Sequence, residues 1–148
     1  MSTTRVSFYV LSGAETAARL GYACRLAEKA YKLRNRIHAH AGDAGMAQAL
    51  DVLLWTFRQG SFVPHEMLTP ASQLNSPITI GFPGIPAPTE PPPADLLINL
   101  AVEVPAFFTR YARVAEIVDS SPASREAGRA RHRFYRDQGL QPETHEVS

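Results

Sequence analysis

VSFYVL, at residues 6–11, is short, nearly continuous in apolar residues and rich in residues that favour β-structure. Such a run predicts a central strand that is covered on both faces. Ser12 and Glu15 follow with the spacing of a capping box, which predicts a helix from this turn to about Leu33. The expected buried stripe of that helix recurs at helical spacing, at Leu20, Cys24, Ala27 and Tyr31.

Strand-like and helix-like segments continue to alternate along the chain. Further strands are predicted at residues 36–41, 77–82, 96–100 and 114–118. Further helices are predicted from Asp43 to residues 55–58, from Pro105 to Tyr111, and from Ser121 to a stop at Gly139. This alternation favours an α/β layer fold with parallel strand pairing.

Length and composition fit a single soluble domain. The chain has 148 residues, of which 45% are hydrophobic and 20% charged; these values exclude a disordered, collagen-like or disulfide-rich chain. We expect one α/β domain at residues 1–140, with a proline-rich surface loop at 83–93 and a flexible tail at 141–148. No apolar run could span a membrane, no signal peptide is recognisable, and Cys24 has no second cysteine to pair with. A reducing, cytoplasmic location is therefore expected.

The turn after the first strand lacks the residues of a nucleotide-binding loop. Residues 12–14 read Ser-Gly-Ala, without the glycines that wrap a phosphate or the lysine that neutralises it. His38 and His40 would share one face of a strand, near Asp43, but a zinc site needs a further fixed ligand. We therefore interpret both as surface or rim histidines, and Cys24 on its buried stripe as a structural thiol. No catalytic residue, metal or cofactor is predicted.

Arginines dominate the last predicted helix. Of the 15 basic residues in the chain, 13 are arginine, and five of them fall at residues 125–136 beside one acid, Glu126. At about 100° per residue, one face of this helix carries Arg125, Arg129, His132, Arg133 and Arg136. The opposite side, which we expect to pack on the sheet, carries Ala127, Ala130 and Phe134. An arginine stripe with so little acid favours an anion-binding surface, since guanidinium groups match carboxylate and phosphate geometry.

A second candidate surface follows the second predicted helix. Trp55, the only tryptophan, is followed by Ser61-Phe62-Val63-Pro64-His65. At least half of these apolar side chains are expected in the core. A tryptophan beside a Phe-Val-Pro segment nevertheless suits the docking of a partner chain, because large aromatic residues anchor protein interfaces.

These motifs, taken in order, resemble one known family. The chain is similar to the chi subunits of bacterial DNA polymerase III holoenzyme. The similarity rests on four segments: FYVL at residues 8–11, LLW at 53–55 with SFVPH at 61–65, DLLINL at 95–100, and Arg129-x-Arg131-x-Arg133-x-Tyr135-Arg136-x-x-Gly139.

The resemblance implies a three-layer α/β/α, Rossmann-like fold with a mostly parallel sheet, no nucleotide site and no catalysis. It implies a replication adaptor at the nucleoid that contacts DNA only indirectly. One partner would be the psi subunit of the clamp loader, giving a monomer or a heterodimer with psi. The other would be the acidic C-terminal tail of single-stranded DNA-binding protein. By motif, Arg125 and Arg129 would meet the tail carboxylates and His132 would border the pocket for its terminal phenylalanine; Arg133 and Arg136 complete the expected tail-binding set. The residues expected to bind psi are Trp55, Phe62, Val63 and Pro64.

Two other classes of function remain open from the residues. The arginine stripe at residues 125–136 could bind single-stranded nucleic acid directly, although no aromatic residues are interleaved with it as stacking platforms. His38 and His40 could serve a metal-dependent hydrolase, which metal-free purified protein would argue against.

Overall fold

The computed structural model describes residues 4–57, 63–68, 76–83 and 95–147. In these ranges seven strands form one sheet in the order β3-β4-β2-β5-β6-β1-β7, and every pairing is parallel. The strands are β1 Arg5–Leu11, β2 Ile37–His40, β3 His65–Met67, β4 Ile78–Gly81, β5 Leu96–Asn99, β6 Arg113–Val118 and β7 Glu143–Val147. The helices are α1 Thr16–Lys32, α2 Ala44–Thr56 and α3 Pro122–Asp137, with a 3₁₀ turn at Phe108–Arg110.

The two faces of the sheet have separate apolar cores. One core contains buried residues of α1 and α2 packed on β2, β4 and β5. The other contains Tyr135 of α3 and Phe108 of the 3₁₀ turn, packed on residues of β1, β5 and β6. Helices therefore cover both faces of a parallel sheet, which confirms the predicted α/β/α layers and the Rossmann-like class.

Most predicted helix ends are confirmed by their caps. The backbone amide of Met46 donates to Asp43 Oδ1 at 2.8 Å at the start of α2. Ser121 caps α3 through the amide of Ser124, and Gly139 follows α3 with a φ of 85°, a conformation that favours glycine.

The predicted capping box at Ser12 and Glu15 is wrong. Helix α1 begins at Thr16, and Glu15 occupies the cap position without a side-chain hydrogen bond. Residues 12–15 instead form the turn that leaves β1, where the carbonyl of Gly13 accepts a hydrogen bond from the amide of Ser120 at 2.9 Å. Helix α1 therefore begins after this contact with the turn between β6 and α3.

The expected flexible tail at residues 141–148 is also wrong. Residues Glu143–Val147 form β7, which pairs in parallel with β1. The chain leaves α3 beside the open edge of β1, and β7 satisfies the backbone groups of that edge. Its first four side chains are exposed, so the strand has no apolar pattern from which it could be predicted. Apart from Pro83, the predicted loop at residues 83–93 lies outside the described residues.

Candidate functional site

Helix α3 is attached to the sheet through a buried carboxylate. Glu116 of β6 is fully buried and accepts hydrogen bonds from Arg131 Nε at 2.7 Å, Tyr135 OH at 2.5 Å and Asn99 Nδ2 at 2.9 Å. Burial raises the pKa of Glu116, and the nearby charge of Arg131 opposes that rise. Four polar groups thus satisfy one another inside the fold and fix the rotation of α3 about its axis.

This attachment corrects the predicted packing side of α3. The buried residues are Gly128, Arg131 and Tyr135, whereas Ala130 is exposed and Phe134 is 40% exposed. Arg131 looks like a surface residue in the sequence, but the buried Glu116 draws it into the interior. The helix is therefore rotated by about a quarter turn from the expected orientation.

Three predicted site residues line one cavity beside α3. Arg125, Arg129 and His132 lie around a depression of about 180 Å³. Its other lining residues are Phe8, Val10, Val118, Gly128 and Thr144. A β-carbon on Gly128 would lie 2.9 Å from Val118 Cγ2, so this glycine allows α3 to approach β6 closely.

The cavity has an apolar floor and a cationic rim. Phe8 is buried, and its ring centroid lies 5.2 Å from that of His132. Arg125 and Arg129 are exposed, and among the described residues no carboxylate lies within ion-pair distance of either. An apolar group that carries a carboxylate is the ligand chemistry that such a depression accommodates.

The other two residues of the predicted stripe lie apart from this cavity. Arg133 and Arg136 are exposed on α3 but do not line it. The structure thus divides the stripe into a cavity part and a solvent-facing part.

Strand β7 supplies a wall that the sequence analysis missed. Thr144 lines the cavity of Arg125 and Arg129, and Glu146 lines an adjoining depression with Arg125, Ser12 and Val147. The register of β7 against β1 places Thr144 beside Phe8 and Glu146 beside Val10. No sequence signal identified these residues, because the strand itself was not predicted.

The second candidate surface lies at the opposite edge of the sheet. Trp55 is 52% exposed, its ring lies 4.4 Å from that of His65, and Val52 is 55% exposed one helical turn away. Pro64 is exposed, but Val63 is 1% exposed and belongs to the core. Val63 therefore cannot face a partner as predicted, and Phe62 lies outside the described residues.

The histidine pair does not lie at the surface as predicted. His38 and His40 are 2% and 7% exposed, because β2 is a central strand of the sheet. Burial lowers the pKa of His38 to about 3 and that of His40 to about 4. Thr79 Oγ1 lies 2.7 Å from His38 Nδ1, and Phe107 packs edge-on against both rings.

Other reactive chemistry is sparse where the chain is described. Cys24 is fully buried, and burial raises the pKa of its thiol to about 12, as befits a structural thiol. Within the four described ranges, no group of three or more histidine, cysteine, aspartate or glutamate side chains is arranged to hold a metal ion. None of the described helices has the length and apolar character needed to cross a membrane.

The family model and the similar proteins found by comparison name the same subunit. The family model for "DNA polymerase III chi subunit, HolC" matches residues 3–143. The DNA polymerase III subunit chi of Pseudomonas aeruginosa is 41% identical to this chain over 146 residues, covering 97% of both chains. The subunits of the same name from Haemophilus influenzae and Escherichia coli are 29% and 25% identical, over 95% and 90% of this chain and 95% and 92% of their own lengths.

Solved structures with the same fold are more distant in sequence. A crystal structure of T4 UvsW and a structure of the yeast protein Dbp5 bound to Nup159, Gle1, IP6 and ADP align with TM-scores of 0.60 and 0.65. Both are 11% identical to this chain, which covers 42% of each of them. They share the fold alone.

Proposed function

This chain belongs to the chi subunit family of DNA polymerase III, and from that premise we propose that it bridges two partners during DNA replication. One partner is the psi subunit of the clamp loader. The other is the acidic C-terminal tail of single-stranded DNA-binding protein, which ends in an apolar residue, proline and phenylalanine. In this bridging role the chain is a non-catalytic adaptor, and its two partners link it to DNA.

The cavity of Arg125, Arg129 and His132 is the observation that carries the tail-binding half of the proposal. Its apolar floor suits a terminal phenylalanine ring, and its two arginines suit the α-carboxylate and the acidic side chains that precede it. Charge-assisted hydrogen bonds of this kind contribute about 1.5–3 kcal/mol each. The neighbouring Arg133 and Arg136 add a positive field that attracts the acidic segment from solution.

The terminal carboxylate offers a direct test of this half. A fluorescent acidic peptide ending in Asp-Ile-Pro-Phe is titrated with the protein, once as the free acid and once as the C-terminal amide. We expect the amide to bind at least about ten-fold more weakly, because it loses a charge-assisted bond to arginine. Equal affinities of the two peptides would contradict the proposed pocket.

The patch of Val52, Trp55 and Pro64 supports the psi-binding half. Exposed apolar side chains that lie together on one surface are typical of docking sites, and tryptophan is a frequent anchor. We assign Trp55 and Pro64 to direct contact with psi. Val63 supports them from the core and makes no contact itself.

A further inference from the structure

Cations without acidic partners lie at the amino-terminal end of β1 and β6, on a surface that the proposed function does not use. Arg5 and Arg113 are aligned partners in the parallel register, so their backbones are about 4.8 Å apart. Both side chains are exposed and line one cavity of about 460 Å³. In the described part of the chain, neither arginine has a carboxylate within ion-pair distance.

Two like charges in adjacent strands repel each other and lower stability. Lys29 of α1 adds a third positive charge, since it lines a smaller cavity of about 130 Å³ together with Arg113 and Ser7. Ser7 and Arg113 line both cavities, so the two adjoin each other, and we refer to them together as the groove. Its one acidic lining residue among those described is Glu143, which lies 3.6 Å from His145 Nε2.

Aromatic rings continue this groove along the same face of β1. Tyr9 lines the smaller cavity, and its ring lies 5.5 Å from that of Tyr22 and 5.4 Å from that of His145, nearly parallel to the latter. The side chain of His145 is 48% exposed at the outer end of this stack. Arg25 lies over the ring of Tyr22, 5.6 Å from its centroid.

We propose that this groove of Arg5, Arg113 and Lys29, with the ring stack of Tyr9, Tyr22 and His145, binds single-stranded nucleic acid. The cations pair with successive phosphates, and a base extends the stack on the exposed ring of His145. Positive grooves flanked by aromatic platforms are the usual means of binding single strands without sequence preference. An acidic peptide would use the cations but would leave the ring stack without a role.

The test measures fluorescence anisotropy of a labelled oligothymidylate of about 20 nucleotides at low salt, where phosphate contacts are strongest. The variant Arg5→Ala/Arg113→Ala should bind at least about ten-fold more weakly than wild type and should show a shallower salt dependence, by about 1.4 in the slope of log affinity against log salt. His145→Ala should weaken binding without changing that slope, because stacking releases no counterions.

The matched control is Arg133→Ala/Arg136→Ala, which removes the same charge from exposed positions of α3. It should bind the oligonucleotide within about two-fold of wild type. Three results would overturn the proposal. The two double variants could lose affinity equally, or folded wild type could fail to bind the oligonucleotide. Poly-glutamate could also displace the oligonucleotide as readily as unlabelled strand does. We call the cavity of Arg125, Arg129 and His132 the tail cavity. The groove shares no residue with it, so failure of this test leaves the amide test of the tail cavity unaffected.

Discussion

At the scale of single residues, the position of a side chain in the sheet decides whether it can take up a proton. His38 and His40 alternate with apolar residues in β2, and the strand is covered on both faces. Both rings are therefore kept in their neutral form by burial, far from any role as surface ligands. The same burial couples the stability of the fold to pH.

Acid should destabilise the protein through these two histidines. In the unfolded chain each takes up a proton near pH 6.5, whereas in the folded protein their pKa values are about 3 and about 4. The contribution of the two neutral histidines to the free energy of unfolding is therefore fully present above pH 6.5. It falls as the pH drops towards 4, by up to about 1.4 kcal/mol per pH unit for each histidine. Urea unfolding at a series of pH values measures this slope.

The control for the pH series is His38→Gln/His40→Gln, which removes both titrating groups. Carboxylates contribute to the acid response of both proteins, so the relevant quantity is the difference between the two stability curves. We expect that difference to change steadily between pH 6.5 and 4. Parallel curves across this range would mean that the histidines are not buried as neutral rings.

At the scale of elements, β7 completes the candidate site. It closes the edge of β1 and places Thr144 in the wall of the tail cavity. Deleting residues 142–148 should lower the free energy of unfolding by about 2–4 kcal/mol, since several ladder hydrogen bonds each contribute about 0.5–1.5 kcal/mol. The same deletion should weaken binding of the acidic peptide, because the cavity loses one wall.

Thermal melting and peptide anisotropy of the deletion variant test both parts. Thr144→Ala is the matched control: it retains the backbone of β7, so its melting temperature should stay near that of wild type. An unchanged melting temperature in the deletion variant would show that β7 does not stabilise the sheet.

Strands and helices could be predicted from the sequence where a buried segment has a run of apolar residues or where a helix begins at a typical capping residue. The runs at residues 6–11 and 96–100 and the cap at Asp43 are of this kind. Strand β7 could not be found, because its side chains are mostly exposed and its pairing depends on the open edge of β1. The rotation of α3 could not be found either, since Arg131 reads as a surface residue until Glu116 is known to be buried.

At the scale of the whole molecule, the two proposed partner surfaces lie at opposite edges of the sheet. Strand β3, beside the patch of Trp55, begins the strand order, and β7, beside the tail cavity, ends it. Six strand spacings separate these edges, about 29 Å along the sheet. This separation is compatible with the proposed bridging role, which requires two partners to be held at once.

The fold alone does not reveal the function of this chain. The structures of T4 UvsW and Dbp5 share the fold with this chain at only 11% sequence identity. The proposed function depends on the surface residues Trp55, Arg125 and Arg129, which could be selected from the sequence by residue type and helical spacing. That these residues belong to two separate sites could be recognised only from the strand order of the sheet.

The most direct test of the bridge is size-exclusion chromatography of the protein mixed with psi and intact single-stranded DNA-binding protein. Wild type should carry both partners in one complex. Arg129→Ala should lose single-stranded DNA-binding protein and keep psi, and Trp55→Ala should do the reverse. Lys32→Ala, which removes an exposed charge of α1 outside both surfaces, is the control that keeps both. If folded wild type holds only one partner at a time, or if each variant loses both partners while remaining folded, the two-surface account is contradicted.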